Sequence, residues 1–170
     1  QRRIKIINPE VLENYRLQNK SIILMMGHHN NWEWASQIIS IVAKQNFIGI
    51  YKKLSNKYFD KLMIKVRAKF GVILVEIEDS IKYIYSNKDC KIIGLASDQN
   101  PVVNSKTYWT KFFNQDVPYI LGAEKIARKM DYPVLFCNMT KESNGYYNIK
   151  FEVIDENPQN SKDGQITNKF

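Results

Sequence analysis

Residues 27–34 (GHHNNWEW) contain the densest group of chemically active side chains in the sequence: two histidines, two asparagines, a carboxylate and two tryptophans. A histidine that is held by a carboxylate can act as a general base. The carboxylate fixes the tautomer of the ring and stabilises the imidazolium that forms when the ring takes a proton. His28 and Glu33 are the candidates for such a pair.

The two side chains can meet only if the chain turns between them, because a separation of five residues in a continuous helix places them about 140° apart. Asn30 and Asn31 can supply that turn, since asparagine caps helices and tolerates left-handed backbone conformations. With Asn30 as the N-cap, Glu33 falls at the third helical position, with its side chain directed back towards His28.

Two other interpretations of this segment stay open on the residues alone. The Asn30-x-x-Glu33 spacing also fits an asparagine version of the capping box, in which Glu33 bonds only backbone N–H groups, and the tryptophans could simply belong to the core. A metal site built from His28, His29 and Glu33 is disfavoured because adjacent histidines point in different directions and no distant ligand is evident. We therefore predict no metal.

The elements around this segment alternate between the strand and helix periods of hydrophobicity. Strands are predicted over residues 21–27, 47–51, 72–75, 91–97, 134–140 and 146–154, and helices over 31–45, 56–70, 79–86 and 118–130. A polar loop is expected over 98–111 and a hairpin turn over 142–145. This order predicts an α/β fold, a mostly parallel twisted sheet flanked by helices, with a C-terminal β-hairpin. The segment 27–34 then lies beyond the carboxyl end of a strand, where ligands bind in such sheets.

Composition narrows the class of partner. The 170 residues suit one domain, and 44% hydrophobic and 12% aromatic residues exclude intrinsic disorder. The net charge of +8 favours an anionic partner. Nucleic acid is disfavoured because the helices lack an arginine-rich stripe and no aromatic sheet motif occurs. Cys90 and Cys137 are predicted to be unpaired core residues of a reducing compartment.

The motifs resemble those of a known family. The segment G-H-x-x-N-W-E, with its H-x4-E spacing, is similar to the H-x4-D/E signature of glycerolipid-type acyltransferases, and more narrowly to the late acyltransferases of lipid A biosynthesis. Further similarities follow in the family's order over residues 10–155: Tyr51-Lys52, Arg67 with Gly71, Asp98-Gln99, Phe112-Phe113 and Pro133-Val134. The sequence departs from the family pattern at His29, Asn30 and Asn114, the last two standing where the family has glycine.

The resemblance implies an O-acyltransferase in which His28 is the general base and Glu33 orients it. The donor would be a thioester on acyl carrier protein or coenzyme A, used directly and without a cofactor; no G-x-S-x-G nucleophile motif occurs. Lys52 and Arg67 would contact an acceptor phosphate, and the remaining candidates for substrate binding are Asn31, Asp98 and Gln99.

The acceptor implied by the resemblance is a phosphorylated glycolipid such as a lipid A precursor, met at the anionic cytoplasmic face of the bacterial inner membrane. A lysophospholipid or aminolipid acceptor, and a degenerate relative that only binds lipid, remain alternatives. The sequence opens on Gln1-Arg2-Arg3 without an initiator Met. We expect residues 1–170 to form a single acyltransferase-like domain of a longer protein, without its N-terminal membrane anchor and C-terminal helices.

Overall fold

The computed structural model of the chain describes residues 3–101, 103–104 and 107–170. The strands are β1 (Ile4–Ile6), β2 (Ile22–Met26), β3 (Asn46–Tyr51), β4 (Ile73–Glu76), β5 (Lys91–Ala96), β6 (Tyr108–Phe112), β7 (Gln115–Tyr119), β8 (Val134–Ser143) and β9 (Tyr146–Asp155). The helices are α1 (Glu10–Leu17), α2 (Trp32–Val42), α3 (Lys57–Ala68), α4 (Ile77–Ser86), α5 (Gly122–Met130) and α6 (Gln165–Lys169), with a short 3₁₀ turn at Pro158–Asn160.

Seven strands form one sheet in the order β1-β9-β8-β2-β5-β3-β4. All neighbours in it run parallel except β8 and β9, which form an antiparallel hairpin. Parallel neighbours need crossover connections, and the helices supply them. The α/β fold with a mostly parallel sheet and a C-terminal hairpin is therefore confirmed.

The central strand β2 is buried along its whole length, as its continuous apolar run predicts. Alternate residues of β2 contribute to two hydrophobic cores, one on each face of the sheet. Leu24 belongs to the core on one face, together with Ile39 of α2. Met25 belongs to the core on the other face, together with Ile126 of α5. A strand packed on both faces gives the loop that follows it a rigid starting point.

The structure differs from the sequence-based expectation mainly between β5 and α5. Pro118 does not open a helix but lies in β7, which pairs antiparallel with β6 in a separate two-stranded sheet. The helix begins later, at Gly122. Phe113 and Asn114 form the turn, with φ of 48° and 60°; asparagine tolerates this left-handed conformation where the resembled family has glycine.

Further differences lie at the ends of the chain and in the expected loop. Strand β1 and helix α1 were not predicted. The loop expected over 98–111 overlaps β6, and its residues 102, 105 and 106, like Gln1 and Arg2, lie outside the described residues. None of the helices in the described part of the chain is long and apolar enough to cross a membrane.

The two cysteines are free thiols, but only one is a core residue. Cys137 is buried on β8, and burial raises the pKa of its thiol to about 12. Cys90 is partly exposed, and its Sγ accepts a hydrogen bond from Gln45 Nε2 at 2.8 Å. The prediction that both cysteines belong to the core is therefore correct for Cys137 and wrong for Cys90.

Candidate active site

The ring of His28 is held by Asp98. His28 Nδ1 lies 2.5 Å from Asp98 Oδ1, and the backbone N–H of His28 donates to Asp98 Oδ2 at 2.7 Å. One carboxylate therefore binds both the ring and the main chain of the same residue, which fixes the ring relative to its own backbone.

This pair follows from the register of the sheet. Strands β2 and β5 are parallel neighbours in which Met26 lies opposite Ala96. His28 and Asp98 each follow that matched pair by two residues, and the Ser97 N–H donates to the Met26 carbonyl at 3.0 Å between them. The two side chains thus meet because both strands end at the same level.

Glu33 does not contact His28, so the predicted direct pairing of these two residues is wrong. Both carboxylate oxygens of Glu33 accept hydrogen bonds from Arg67 of α3 instead, at 3.1 and 3.0 Å from Nε and 2.5 Å from Nη2. The planar guanidinium offers parallel donors that match a carboxylate, which a single imidazole nitrogen cannot do.

The predicted cap of α2 is also wrong by one residue. Asn31 is the N-cap, without a side-chain cap hydrogen bond, so Glu33 is the second helical residue and no capping box forms. Asn30 does take the left-handed conformation that its residue type allows, with φ of 51°. Its side-chain amide donates to the Met139 carbonyl at 2.7 Å, which ties the loop to β8.

Trp32 lies between the His28–Asp98 pair and the Glu33–Arg67 pair. Its ring meets the His28 ring edge-on, with centroids 4.8 Å apart, and the Arg67 guanidinium carbon lies 5.4 Å from its ring centroid. Sequence reasoning left Trp32 as a possible core residue. Its place at the start of α2, three residues after His29, was the available signal.

Asp98 is suited to remain ionised. Burial raises the pKa of the Asp98 carboxyl. The hydrogen bonds that it accepts from the His28 side chain, the His28 backbone and its own backbone, together with its charge interaction with His28, lower the pKa by more, so it lies below its ordinary value. The side chains of His28 and Asp98 are 29% and 36% exposed. The pair is therefore accessible from outside while its carboxylate stays charged.

His28 and the Glu33–Arg67 pair line one cavity of about 380 Å³, together with Trp32. The rest of its polar lining includes Lys52 and Gln99, and its apolar lining comes from the sheet and α4, including Met26, Phe47, Val72, Leu74 and Ile77. The structure therefore brings five of the seven predicted site residues to one cavity, namely His28, Glu33, Lys52, Arg67 and Gln99.

Two adjacent glycines form part of the wall of this cavity. Gly49 of β3 and Gly94 of β5 are paired in register. A Cβ at Gly94 would lie 2.5 Å from Phe47 Cζ, and a Cβ at Gly49 would lie 3.2 Å from Leu74 Cδ2. Only a residue without a side chain leaves room for the Phe47 ring against Gly94.

The remaining predicted site residues lie elsewhere. Asp98 lines a neighbouring cavity of about 480 Å³, with Gly27 and His29, and is not among the residues that line the His28 cavity. Asn31 occupies the N-cap position of α2. Within residues 3–101, 103–104 and 107–170, no three His, Cys, Asp or Glu side chains converge as a metal site would require.

An imidazole with a carboxylate on one nitrogen and a cavity beside it, on the carboxyl edge of a parallel sheet, has the geometry that a general base requires. A family model described as bacterial lipid A biosynthesis acyltransferase matches residues 1–169. The chain belongs to this family, as its motifs predict, and the family makes it an acyltransferase. A comparison with curated proteins found none that matches.

Proposed function

We propose that this acyltransferase moves a fatty acyl group from a thioester of acyl carrier protein or coenzyme A to a hydroxyl of a phosphorylated glycolipid such as a lipid A precursor. The observation that carries the proposal is the 2.5 Å contact between His28 Nδ1 and Asp98 Oδ1, beside the cavity that His28 lines. A proton on Nδ1, donated to Asp98, leaves the lone pair on Nε2 for the substrate.

In the proposed reaction, the acceptor hydroxyl gives its proton to His28 Nε2 as its oxygen attacks the thioester carbonyl carbon. The carbon–sulfur bond then breaks, and the imidazolium returns the proton to the leaving thiolate. Asp98, kept ionised by its lowered pKa, stabilises the imidazolium between these steps. Asp98 thereby takes the orienting role that the resemblance implied for Glu33.

The cavity suits both ends of this reaction. Its apolar lining of sheet residues, which includes Met26 and Leu74, suits a fatty acyl chain. Lys52 and Arg67 place two cations in the same space, and a guanidinium or ammonium group is the usual partner of a phosphate. Glu33 holds Arg67 in place through both of its oxygens.

The charge of the chain supports a partner surface of opposite sign. A net charge of +8 favours both an acidic carrier protein and an anionic bilayer. We therefore propose that the enzyme works at the cytoplasmic face of the bacterial inner membrane, where a glycolipid acceptor and a soluble thioester donor can meet.

The test is an acyl transfer assay in which His28→Ala is compared with His29→Ala. We expect His28→Ala to lower kcat by about 10²–10⁴-fold, the usual contribution of a general base. His29→Ala is the matched control because His29 lines the neighbouring cavity and, among the described residues, its side chain has one hydrogen-bond partner, the Met139 carbonyl at 3.2 Å. Full transfer by His28→Ala would overturn the proposal.

The same assay separates the possible acceptors. Lysophospholipid and aminolipid acceptors are offered beside the phosphorylated glycolipid, with acyl carrier protein and coenzyme A thioesters as donors. We expect the phosphorylated glycolipid to give a higher kcat/KM than the aminolipid because Arg67 and Lys52 can bind its phosphate. A lysophospholipid also carries a phosphate, so a higher kcat/KM for it than for the glycolipid would reassign the acceptor. No turnover of any acceptor by the wild-type protein, with lipid binding retained, would indicate a degenerate relative instead.

A further inference from the structure

Helix α3 leaves an apolar stripe uncovered. Tyr58, Phe59, Leu62 and Val66 are all exposed, Tyr58 to 88% and both Phe59 and Leu62 to 52%, and exposed Phe70 continues the stripe. An amphipathic helix that only packs on its own domain buries such a face. We call Tyr58, Phe59, Leu62 and Val66 the apolar stripe of α3.

A row of lysines runs beside the apolar stripe. Lys57, Lys61 and Lys65 are exposed and spaced four residues apart, and Lys69 follows at the C-cap. Within the described part of the chain these four lysines form no ion pair. The one acid of α3, Asp60, is buried and accepts the Leu54 N–H at 2.9 Å. The positive charge of this lysine row is therefore not neutralised.

The third side of α3 faces the active site. At about 100° per residue, Asp60 and Arg67 fall on the side away from the apolar stripe and the lysine row. Arg67 lines the cavity of His28. Leu54 and Ile77 also line this cavity and are themselves exposed, to 37% and 50%. The helix thus connects an uncovered apolar and basic surface to the cavity.

We propose that α3 lies in the surface of an anionic phospholipid bilayer, with the apolar stripe among the outer acyl segments and the lysine row against the headgroup phosphates. Apolar residues on one side and lysines beside them are the pattern of interfacial helices. The inference deepens the proposed function, on which it rests for a lipid acceptor. The bilayer would then supply that acceptor at the cavity.

Charge favours a bilayer over a second copy of the chain on this surface. A symmetric dimer formed through α3 would use the same patch on both protomers. It would bring two rows of unneutralised lysines together, and like charges repel most where water is excluded. Anionic headgroups offer the opposite sign to the whole row.

The experiment measures co-sedimentation of the chain with vesicles of phosphatidylcholine mixed with phosphatidylglycerol, and of phosphatidylcholine alone. We expect Lys61→Glu/Lys65→Glu to weaken binding to the mixed vesicles by about tenfold or more, since each surface cation adds to the attraction of an anionic bilayer. Lys5→Glu/Lys141→Glu is the matched control. It changes net charge equally at exposed lysines of β1 and β8, and should leave binding nearly unchanged.

The apolar part of the proposal is tested by Leu62→Ser. We expect it to weaken binding to the mixed vesicles several-fold, because the side chain would leave the bilayer interior. Leu17→Ser is the control, since Leu17 ends α1 and is 69% exposed. Both substitutions remove exposed leucines and should leave the folded state intact.

Three results would overturn the proposal. The first is unchanged vesicle binding by Lys61→Glu/Lys65→Glu, or an equal loss in the Lys5→Glu/Lys141→Glu control. The second is loss of acidic carrier protein binding in that α3 variant with vesicle binding retained. The third is concentration-dependent self-association of the wild-type chain that the α3 variant abolishes, without vesicle binding.

Failure of this inference is distinguishable from failure of the proposed function. With the acceptor in detergent micelles, which need no bilayer docking, the α3 variants should keep the wild-type kcat. His28→Ala should lose transfer in micelles but bind mixed vesicles as the wild-type chain does.

Discussion

The two carboxylates of the site are held in contrasting ways. Asp98 belongs to the sheet: it and His28 follow two neighbouring parallel strands, although 70 residues separate them in sequence. Glu33 belongs to the helices: it is the second residue of α2 and pairs with Arg67 of α3. Glu33 is much closer to His28 in sequence, yet Asp98 holds the ring. The partner of His28 is therefore determined by the level at which β2 and β5 end, and not by spacing in the sequence.

Substitution in the His28–Asp98 pair, which follows two parallel strands, should have the strongest effect on kcat. Asp98→Asn should lower kcat by about 100-fold or more with little change in KM, because the amide cannot stabilise the imidazolium and can favour the wrong tautomer. Steady-state kinetics with a thioester donor measure this. Glu33→Gln is the comparison variant, and a larger loss of kcat in it than in Asp98→Asn would break the assignment of roles.

The helix pair should show a smaller coupling, measured in stability. A double-mutant cycle of Glu33→Gln and Arg67→Gln should give about 1–2 kcal/mol in the free energy of unfolding, between the values typical of exposed and buried pairs. The side chains of Arg67 and Glu33 are 20% and 29% exposed.

An exposed ion pair provides the control for that cycle. Lys111 and Asp116 lie 2.8 Å apart with side chains 69% and 65% exposed, so the same cycle there should give less than about 0.5 kcal/mol. Equal coupling free energies in the two cycles would show that the partly buried Glu33–Arg67 pair stabilises the fold no more than an exposed ion pair does.

Trp32 tests whether the two regions act independently. Trp32→Phe replaces the indole, which contacts both His28 and Arg67, by the smaller phenyl ring. It should lower kcat by about two- to tenfold, as expected for aromatic and cation–π contacts of roughly 0.5–1.5 kcal/mol. Trp34→Phe is the control, since Trp34 contacts Tyr147 with centroids 6.4 Å apart. Identical kinetics for wild type and Trp32→Phe would show that Trp32 does not couple the His28–Asp98 pair to the Glu33–Arg67 pair.

The smallest effect is a pH dependence of stability. The pKa of Asp98 in the folded chain lies below its ordinary value of 3.8. Its carboxylate therefore stabilises the folded state at pH above that value, and this contribution is lost as pH falls through the lowered pKa. We expect the unfolding free energy of wild type to fall towards that of Asp98→Asn in this acid range, as urea denaturation can show. A constant difference between the two would contradict the lowered pKa.

The sheet could be predicted from sequence because its strands are apolar runs that helices separate. Pro118 shows where this reasoning failed. Proline commonly opens helices, yet here it lies opposite Trp109 in a two-stranded sheet, where every strand is an edge and a missing N–H costs little. No local signal distinguishes these two uses of proline.

The site could be predicted in its residues but not in its pairs. His28, Arg67 and Asp98 were all identified, yet the partner of each depends on which strands and helices become neighbours. One signal was available, since both His28 and Asp98 follow a buried strand by the same short interval. For α3, the hydrophobic periodicity predicted an amphipathic helix. Periodicity does not show whether the apolar side of such a helix packs on protein or on lipid.

The shared register of β2 and β5 has a consequence for engineering. Since side chains alternate between faces, inserting or deleting a single residue between Met26 and His28, or between Ala96 and Asp98, would turn one partner away from the other. Point substitutions around the cavity are therefore a safer way to vary its lining than loop-length libraries at these strand ends. A transplant of the His28–Asp98 pair onto another scaffold would need both strands at their native lengths.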